Sequence, residues 1–172
     1  MNNEIYIGCD DSGYEMKLEV IEHLKNKGFA VVDCGSDDSP SRYPYFAAKV
    51  ASAVSTGKTN KGIIICGSGI GVSIAANKFK GVRAAAICDS YSAKLTRRHN
   101  DSNVLCLGGR MLGKWAVLEI VDVWLATEYD GGHHEGSLNL ISEIENVTMT
   151  GEIWCPDHIP YAQFDWDPNQ RI

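Results

Sequence analysis

The stretch that decides the fold is KGIIICGSGIGVSIAANK, at residues 61–78. It opens with an apolar run from Ile63 to Ile65, which is typical of a strand buried inside a parallel sheet. Three glycines follow at once within residues 67–71, and residues 72–78 have the pattern of a helix. Backbone N–H groups converge where a strand, a glycine turn and a helix N-terminus meet. The stretch therefore predicts an anion-binding turn.

Cys66 stands at the C-terminal end of this strand, which is where open α/β sheets bind their ligands. A helix N-terminus favours negative charge, so a thiol held there favours the thiolate, which acts as a base or nucleophile. Another interpretation stays open. The spacing GSGIG lacks both the GxGxxG of dinucleotide folds and the lysine of a P-loop. A nucleotide or phosphate can still bind such a turn beside a cysteine that only packs as a small apolar side chain.

The composition suits one globular domain with a sizeable core: 172 residues, of which 44% are hydrophobic and 22% charged. A formal net charge of -6 argues against nucleic acid as the main partner, although local arginines and helix ends can still bind a small anion. We find no apolar run of membrane-span length and no signal-peptide pattern. The six cysteines, without a CxxC pair, predict reduced thiols in a cytoplasmic protein.

Strand-like runs and helical patterns alternate along the chain with short connections. We expect strands at 4–9, 29–34, 61–66, 82–88 and 103–107, and helices at 14–27, 43–55, 72–78, 90–98 and 112–127. This alternation predicts a three-layer, Rossmann-like α/β sandwich around a five-stranded parallel sheet, within a domain over 1–147. A further helix over 134–146 leaves the sheet. Residues 148–172 contain prolines and large aromatic side chains, and exposure of those aromatic side chains to water would be unfavourable. We therefore expect these residues to form an extended tail packed on the body or on a partner subunit.

Four loops, at 10–11, 66–71, 89–100 and 108–110, are expected to meet above the C-terminal edge of the sheet. Asp10 and Asp11 can accept hydrogen bonds from sugar hydroxyls or hold a metal. Alternatively one of them, Asp11 before Asp10, caps the following helix.

Basic residues at three further places can contribute to a site. His99 and Asn100 end the fourth helix, and a histidine suits general acid–base work or is simply solvated there. Arg110 follows a double glycine and can reach a phosphate or pair with a surface carboxylate. His133 and His134, after another double glycine, can bind an anion or cap the preceding loop. Metal binding through this pair stays open as an alternative with weak support, since no carboxylate or cysteine stands at ligand spacing in that local segment.

Several motifs occur in unbroken order over about residues 4–147. They are GCDDSG at 8–13, YP at 43–44, ICGSGIGVSIAANK at 65–78, GVRAA at 81–85, RRHNDSNVLCLGGR at 97–110 and GGHH at 131–134. In these motifs the chain resembles the type B ribose-5-phosphate isomerases, a family that includes galactose-6-phosphate isomerase subunits and allose-phosphate isomerases.

The resemblance implies a homodimer, sometimes a tetramer, that uses no metal or organic cofactor and interconverts an aldose and a ketose through an enediolate. It implies that Cys66 moves the proton between neighbouring carbons, with Ser68 beside it, and that His99 helps to open the sugar ring. Backbone N–H groups of 67–71 would stabilise the enediolate oxygens as an oxyanion hole does. The substrate-binding residues that it implies are Asp10, Asp11, Tyr43, Gly67, Gly69, Ile70, Gly71, Asn100, Arg110, His133, His134 and Ser137.

The chain departs from that family mainly where the phosphate binds. Asp11 replaces a histidine, and GGHHEGS at 131–137 replaces GGRHxxR, so His133 and Ser137 stand at two arginine positions. Two lost guanidinium contacts weaken binding of a dianion by several kcal/mol, at about 1.5–3 kcal/mol for each charged hydrogen bond. Compensation can come from His133, His134, Arg98 or Arg42. The substrate stays open between ribose 5-phosphate, another pentose, hexose or tetrose phosphate, and a non-phosphorylated aldose.

Our prediction is a cytoplasmic aldose–ketose isomerase that works as a homodimer, in which His133 and His134 reach the partner's site. One alternative is a non-catalytic sugar-phosphate-binding subunit of a hetero-oligomer, because the lactose-pathway isomerase has two related chains. The joint presence of Cys66 and His99 favours the enzyme. A nucleotide-binding Rossmann protein is a further alternative, although only Asp33 lies near the end of the second strand, where a ribose-binding carboxylate would stand.

Overall fold

The computed structural model describes residues 4–36 and 39–150, so the predicted tail over 148–172 lies almost entirely outside the described residues. The described chain contains one sheet. Its strands are β1 (Glu4–Cys9), β2 (Ala30–Asp33), β3 (Lys61–Cys66), β4 (Ala84–Ala86) and β5 (Val104–Gly108). The spatial order is β2-β1-β3-β5-β4, and every neighbouring pair is parallel.

Six α-helices connect and flank these strands in the described part of the chain. They are α1 (Tyr14–Asn26), α2 (Tyr43–Ser55), α3 (Ile70–Ala76), α4 (Ser90–Asn100), α5 (Lys114–Ala126) and α6 (His134–Thr148). The predicted α/β sandwich with a five-stranded parallel sheet is confirmed. The fourth strand is shorter than the predicted 82–88, because β4 lies at the sheet edge and pairs only with β5.

Successive side chains of β3 point to opposite faces of the sheet and so belong to two separate cores. Ile63 and Ile65 pack with α1 and α5, whose contribution includes the fully buried Trp124. Ile64 and Cys66 lie on the other face, against small apolar residues of α2 and α3. Helices therefore cover both faces, which explains why β3 is apolar along its whole length instead of alternating with polar residues.

The strand order reverses between β1 and β3. On one side of this pair lies β2, next to β1, and on the other side lie β5 and then β4, next to β3. In open parallel sheets such a reversal leaves a crevice beyond the strand ends. We call the edge where the strands end the carboxyl edge and the edge where they begin the amino edge. The crevice lies at the carboxyl edge, between Cys9 at the end of β1 and Cys66 at the end of β3.

Two global expectations can be compared with the described residues. Five of the six cysteines lie there and carry free thiols, as predicted for them; Cys155 lies outside. None of the described helices is long and apolar enough to cross a membrane.

Candidate active site

Cys66 ends β3 with its sulfur folded into the glycine turn. The backbone N–H of Gly69 donates to the Cys66 Sγ over 3.2 Å, and only 5% of the residue is exposed. Such a donor stabilises negative charge on the sulfur. Gly69 has a φ of +78°, and a Cβ there would lie 3.0 Å from the carbonyl carbon of Leu107. The turn that brings an N–H to the sulfur therefore requires glycine at this position.

Other buried cysteines have surroundings that keep them protonated. Burial raises the pKa of Cys9 to about 11, and it raises the pKa of Cys34 to about 11 as well. Burial also raises the pKa of Cys106, which packs on the same face as Cys66. These three thiols serve as small core or near-core side chains, whereas Cys66 differs from them in lying at the base of the glycine turn, where the Gly69 N–H donates to its sulfur.

Tyr43 and Arg110 border the glycine turn on two sides. A Cβ at Gly71 would lie 2.8 Å from the Cζ of Tyr43, so the ring rests directly on that glycine. The backbone N–H of Arg110 donates to the Gly67 oxygen over 3.1 Å, which fixes the start of the next loop beside the turn. The side chain of Arg110 is exposed. The predicted neighbours Tyr43 and Arg110 thus lie where a ligand of the turn would contact them.

Asp10 follows β1 across the crevice from Cys66. Its Oδ1 accepts hydrogen bonds from the Ser12 hydroxyl at 2.5 Å and from the Gly13 N–H at 3.2 Å. It therefore caps the short 3-10 helix Asp11–Gly13, so of the two alternatives for a capping residue it is Asp10, and not the favoured Asp11, that caps. Burial raises the pKa of the Asp10 carboxyl, while the hydrogen bonds from Ser12 and Gly13 act in the opposite direction. A ligand hydroxyl that donates to this carboxylate would replace hydration that burial has removed.

Asp11 turns away from that carboxylate and joins the loop before α2. Its N–H donates to the Ser41 hydroxyl over 3.2 Å, and its Oδ1 accepts from the Ser41 N–H at 3.4 Å. These reciprocal contacts tie the loop after β2 to the loop after β1. Asp11 thus helps to hold these two loops together through Ser41, whichever ligand the crevice binds.

The second group of predicted site residues lies at the amino edge. Helix α4 begins at the carboxyl edge, where Asp89 caps it by accepting from the Ser92 N–H at 2.7 Å, and runs back across the sheet. Its last residues, His99 and Asn100, therefore arrive beside the start of β5. Arg83, just before β4, donates through Nε to the Asn100 oxygen over 3.0 Å. The expectation that the whole loop over 89–100 meets Cys66 within one chain is wrong for its C-terminal half.

The strand geometry separates these two groups. Cys66 pairs with Gly108, whereas the amino edge is level with Val104, which is four residues earlier in β5 (108 minus 104). At roughly 3.3 Å per strand residue, the two edges are about 13 Å apart along the strand direction. In a right-handed βαβ unit the connecting helix runs antiparallel to the strands, so its last residues lie at the amino edge and away from the residues that end the strands.

Three imidazoles and one carboxylate cluster at the amino edge. The His99 and His134 rings stack with centroids 4.5 Å apart, and the His133 ring lies 3.9 Å from that of His134. Burial, and then the neighbouring His133 and His99, lower the pKa of His134, with Asp130 acting against them. Arg98 pairs with Asp130 over 2.8 Å and holds the pKa of that carboxyl below its usual value. Ser137, one helical turn after His134, is exposed.

Two residues near these groups were not among the predicted site residues. Ser12 donates to Asp10, and its Oγ would lie 3.4 Å from a Cβ at Gly67, so it bridges the two sides of the crevice. Asp130 joins the imidazoles through folding of the chain. The GCDDSG motif contains Ser12, and its spacing of two from Asp10 was the signal that could have found it. Asp130 stands four residues before His134, and this spacing was the signal that could have found it, whereas His99 is distant in sequence.

The reversed strand order, the glycine turn and the thiol at its base define a class: Rossmann-like α/β proteins that bind a small anionic ligand beyond the carboxyl edge. The family model described as Ribose/Galactose Isomerase matches residues 5–141. The chain belongs to this ribose/galactose isomerase family.

The alignments with individual relatives cover most of this chain and most of each relative. Ribose-5-phosphate isomerase B of Escherichia coli is 46% identical over 143 residues, which is 83% of this chain and 96% of that protein. D-erythrulose-4-phosphate isomerase of Pectobacterium atrosepticum is 39% identical over 74% of this chain and 86% of its own. The solved ribose-5-phosphate isomerase B of Mycoplasma genitalium with bound ribulose-5-phosphate is 40% identical, has a TM-score of 0.81, and is matched over 84% of this chain and 97% of its own.

Proposed function

We propose that this chain isomerises a phosphorylated aldose and the corresponding ketose, with Cys66 as the base. The chain is a sugar-phosphate aldose–ketose isomerase by family, and its relatives are named for ribose 5-phosphate and D-erythrulose 4-phosphate. The single observation that carries the cysteine assignment is the Gly69 N–H donated to the Cys66 sulfur at the switch point of the sheet. This contact puts a sulfur atom with a backbone N–H donor where the ligand of such a sheet binds.

The chemistry is a proton shuttle between two adjacent carbons. The Cys66 thiolate removes the proton from C2 of the open-chain aldose, and the C–H electrons form the enediolate while the C1 carbonyl oxygen gains negative charge. The proton of the C2 hydroxyl passes to the C1 oxygen, the Cys66 thiol returns the carbon-bound proton to C1 and becomes a thiolate again, and a carbonyl forms at C2. Backbone N–H groups of residues 67–71 stabilise the enediolate oxygens, and Ser68 borders this turn. Asp10 accepts hydrogen bonds from the sugar hydroxyls.

Ring opening requires a second copy of the chain. His99 and Asn100 lie at the amino edge, about 13 Å along the strands from Cys66. We propose a homodimer in which the amino-edge histidines of one copy complete the carboxyl-edge crevice of the other. A two-fold axis supplies this exchange twice, giving two equal sites. Exposed apolar side chains that such contact would cover include Ile70 and Ile74 of α3 and Tyr91 of α4.

The phosphate would be bound by Arg110 of the crevice together with the partner copy's own histidines. Arg110 is exposed beside the glycine turn, and His133 and His134 stand at the start of α6 in the stacked cluster. Imidazole N–H donors have a shorter reach and are less forked than guanidinium, so they favour a phosphate held at one or two oxygens. A sugar phosphate of four or five carbons, as in the names of the relatives, is the substrate that this proposal favours.

The test is proton exchange in heavy water with a panel of four- to six-carbon sugars, each phosphorylated and free. Deuterium enters the carbon next to the carbonyl only if the enzyme forms the enediolate, and mass spectrometry or NMR detects it. The wild-type chain should exchange with at least one phosphorylated sugar. Cys66→Ala should lower exchange at least about 100-fold, as expected for loss of a general base. Cys88→Ser is the matched control, because Cys88 is a free and exposed thiol away from the turn.

Other results would select the other functions. Exchange with free sugars alone would assign a non-phosphorylated aldose. Binding of a sugar phosphate without exchange would indicate a non-catalytic subunit. Wild-type turnover in Cys66→Ala would remove the cysteine from its role as base.

A further inference from the structure

The amino-edge cluster combines imidazole and carboxylate donors in a way that the local sequence does not reveal. His99, Asp130 and His134 each offer one ligand atom, and these three atoms all lie within 4.8 Å of one another. They come from the end of α4, the following loop and the first residue of α6. Two imidazoles and one carboxylate with an open position are a common ligand set of Zn²⁺.

The backbone holds the three donors in this arrangement. The N–H of Asp130 donates to the Arg98 oxygen over 3.0 Å, so Asp130 is fastened to the last turn of α4. Gly131 and Gly132 then adopt φ values of +64° and +60°. Two consecutive left-handed residues turn the chain back, which brings the His134 ring onto the His99 ring.

We propose that His99, Asp130 and His134 form a binding site for a divalent transition-metal ion, for which Zn²⁺ is the best match, and that the ion inhibits the isomerase. Donors around tetrahedral Zn²⁺ are roughly 3.4 Å apart, given Zn–N and Zn–O distances of about 2.0–2.1 Å. The separations in the cluster, all within 4.8 Å, have to close by at most about 1.4 Å, which rotations of the side-chain torsions can provide. His133, whose ring lies against His134, can supply a fourth ligand.

Arg98 is the group that opposes the ion. It donates to both carboxylate oxygens of Asp130, from Nε over 3.1 Å and from a terminal nitrogen over 2.8 Å. A carboxylate has about four lone-pair sites, so two remain for a metal. The cost of placing a cation near this guanidinium predicts an affinity below that of a structural zinc site, and therefore reversible binding. Reversible occupation fits an inhibitory ion and not a resident cofactor.

The inhibition rests on the proposed function, because it requires that His99 take part in ring opening. An imidazole nitrogen that coordinates a metal can neither donate nor accept a proton. An ion bound at this site would also keep the His134 ring from contacting the substrate phosphate. Metal binding and turnover would therefore exclude each other at the same residues.

The binding test uses Co²⁺ as a spectroscopic substitute for Zn²⁺ on the full-length, chelator-treated protein. We expect one Co²⁺ per chain, with visible d–d absorption and no thiolate charge-transfer band, and displacement by Zn²⁺. Asp130→Asn should weaken binding at least about tenfold, since even the loss of an outer-shell partner costs 10–100-fold. Asp122→Asn is the matched control, because Asp122 also contacts a histidine, His23 at 2.7 Å, but has no second imidazole.

The outcomes separate this site from the proposed function. An absence of the d–d spectrum, a thiolate band, or equal affinity in Asp130→Asn and the wild type would overturn the metal site, whether or not the chain is an isomerase. Isomerase assays with added Zn²⁺ test the second part: inhibition should need at least about tenfold more Zn²⁺ in Asp130→Asn. Metal binding without any inhibition of an active enzyme would leave the ion site standing and overturn both the inhibition and the role of His99.

Discussion

A pair of heterodimers tests the division of the site between two copies. The first combines a Cys66→Ala chain with a His99→Asn chain, so each copy has one change. The second combines a wild-type chain with a chain that has both changes. Two affinity tags, one on each chain, allow pure heterodimers to be isolated after co-expression. Both heterodimers contain the same four residues overall and differ only in how the two changes are distributed.

The structure sets the expected activities. Cys66 ends β3 and His99 ends a helix that returns to the amino edge, so the proposed dimer assigns the two side chains of one copy to different sites. In the first heterodimer, one site then has both changes and the other has none. It should retain about half of the wild-type activity, because one of the two sites of a two-fold dimer is intact. In the second heterodimer, each site has one change, and activity should fall at least about 100-fold.

The assay is turnover of the sugar phosphate found by the exchange screen, measured per dimer. Circular dichroism and gel filtration check that each variant folds and dimerises. If every chain contained its own complete site, the result would reverse: the second heterodimer would be half active and the first inactive. That reversal would refute the two-copy site. Activity in neither heterodimer, despite correct assembly, would refute an active dimer built from this pair of residues.

Two further predictions concern stability. Gly69→Ala and Gly57→Ala should each lower the free energy of unfolding by about 1–2 kcal/mol from backbone strain, because their φ values are +78° and +73°. Gly69→Ala should lose more than Gly57→Ala, because its Cβ would lie 3.0 Å from the carbonyl carbon of Leu107, whereas nothing lies within 4 Å of a Cβ at Gly57. Equal losses in urea unfolding would contradict the role of space at Gly69. Asp122 is partly buried, which raises its carboxyl pKa, but hydrogen bonds from Lys27 and His23 outweigh this and hold the pKa below its usual value. A depressed folded pKa stabilises the fold above the unfolded pKa of about 3.9, and this stabilisation is lost as the pH falls from there through the folded pKa. The advantage of the wild type over Asp122→Asn should therefore shrink as the pH falls below about 4, and an advantage that stays constant or grows there would contradict this sign.

Local sequence patterns determined the elements and the class of fold, because they depend on neighbouring residues. The apolar run at Ile63–Ile65 and the glycines after it identified β3 and the turn, and the alternation of strands and helices identified the parallel sheet. Element ends were less accurate where pairing decides them. β4 stops at Ala86 because an edge strand has a neighbour on only one side.

Tertiary structure alone decided which chemical groups meet. The sequence pointed to Cys66 and His99 separately, but the return path of α4 takes His99 to the opposite edge of the sheet from the sulfur. The same folding brings His99 to Asp130 and His134, which are four residues apart, from more than thirty residues away along the chain. Residue types and spacing encode what each segment can do, because chemistry and backbone preference are local. Which segments act together depends on strand order and helix direction, which exist only once the chain is packed.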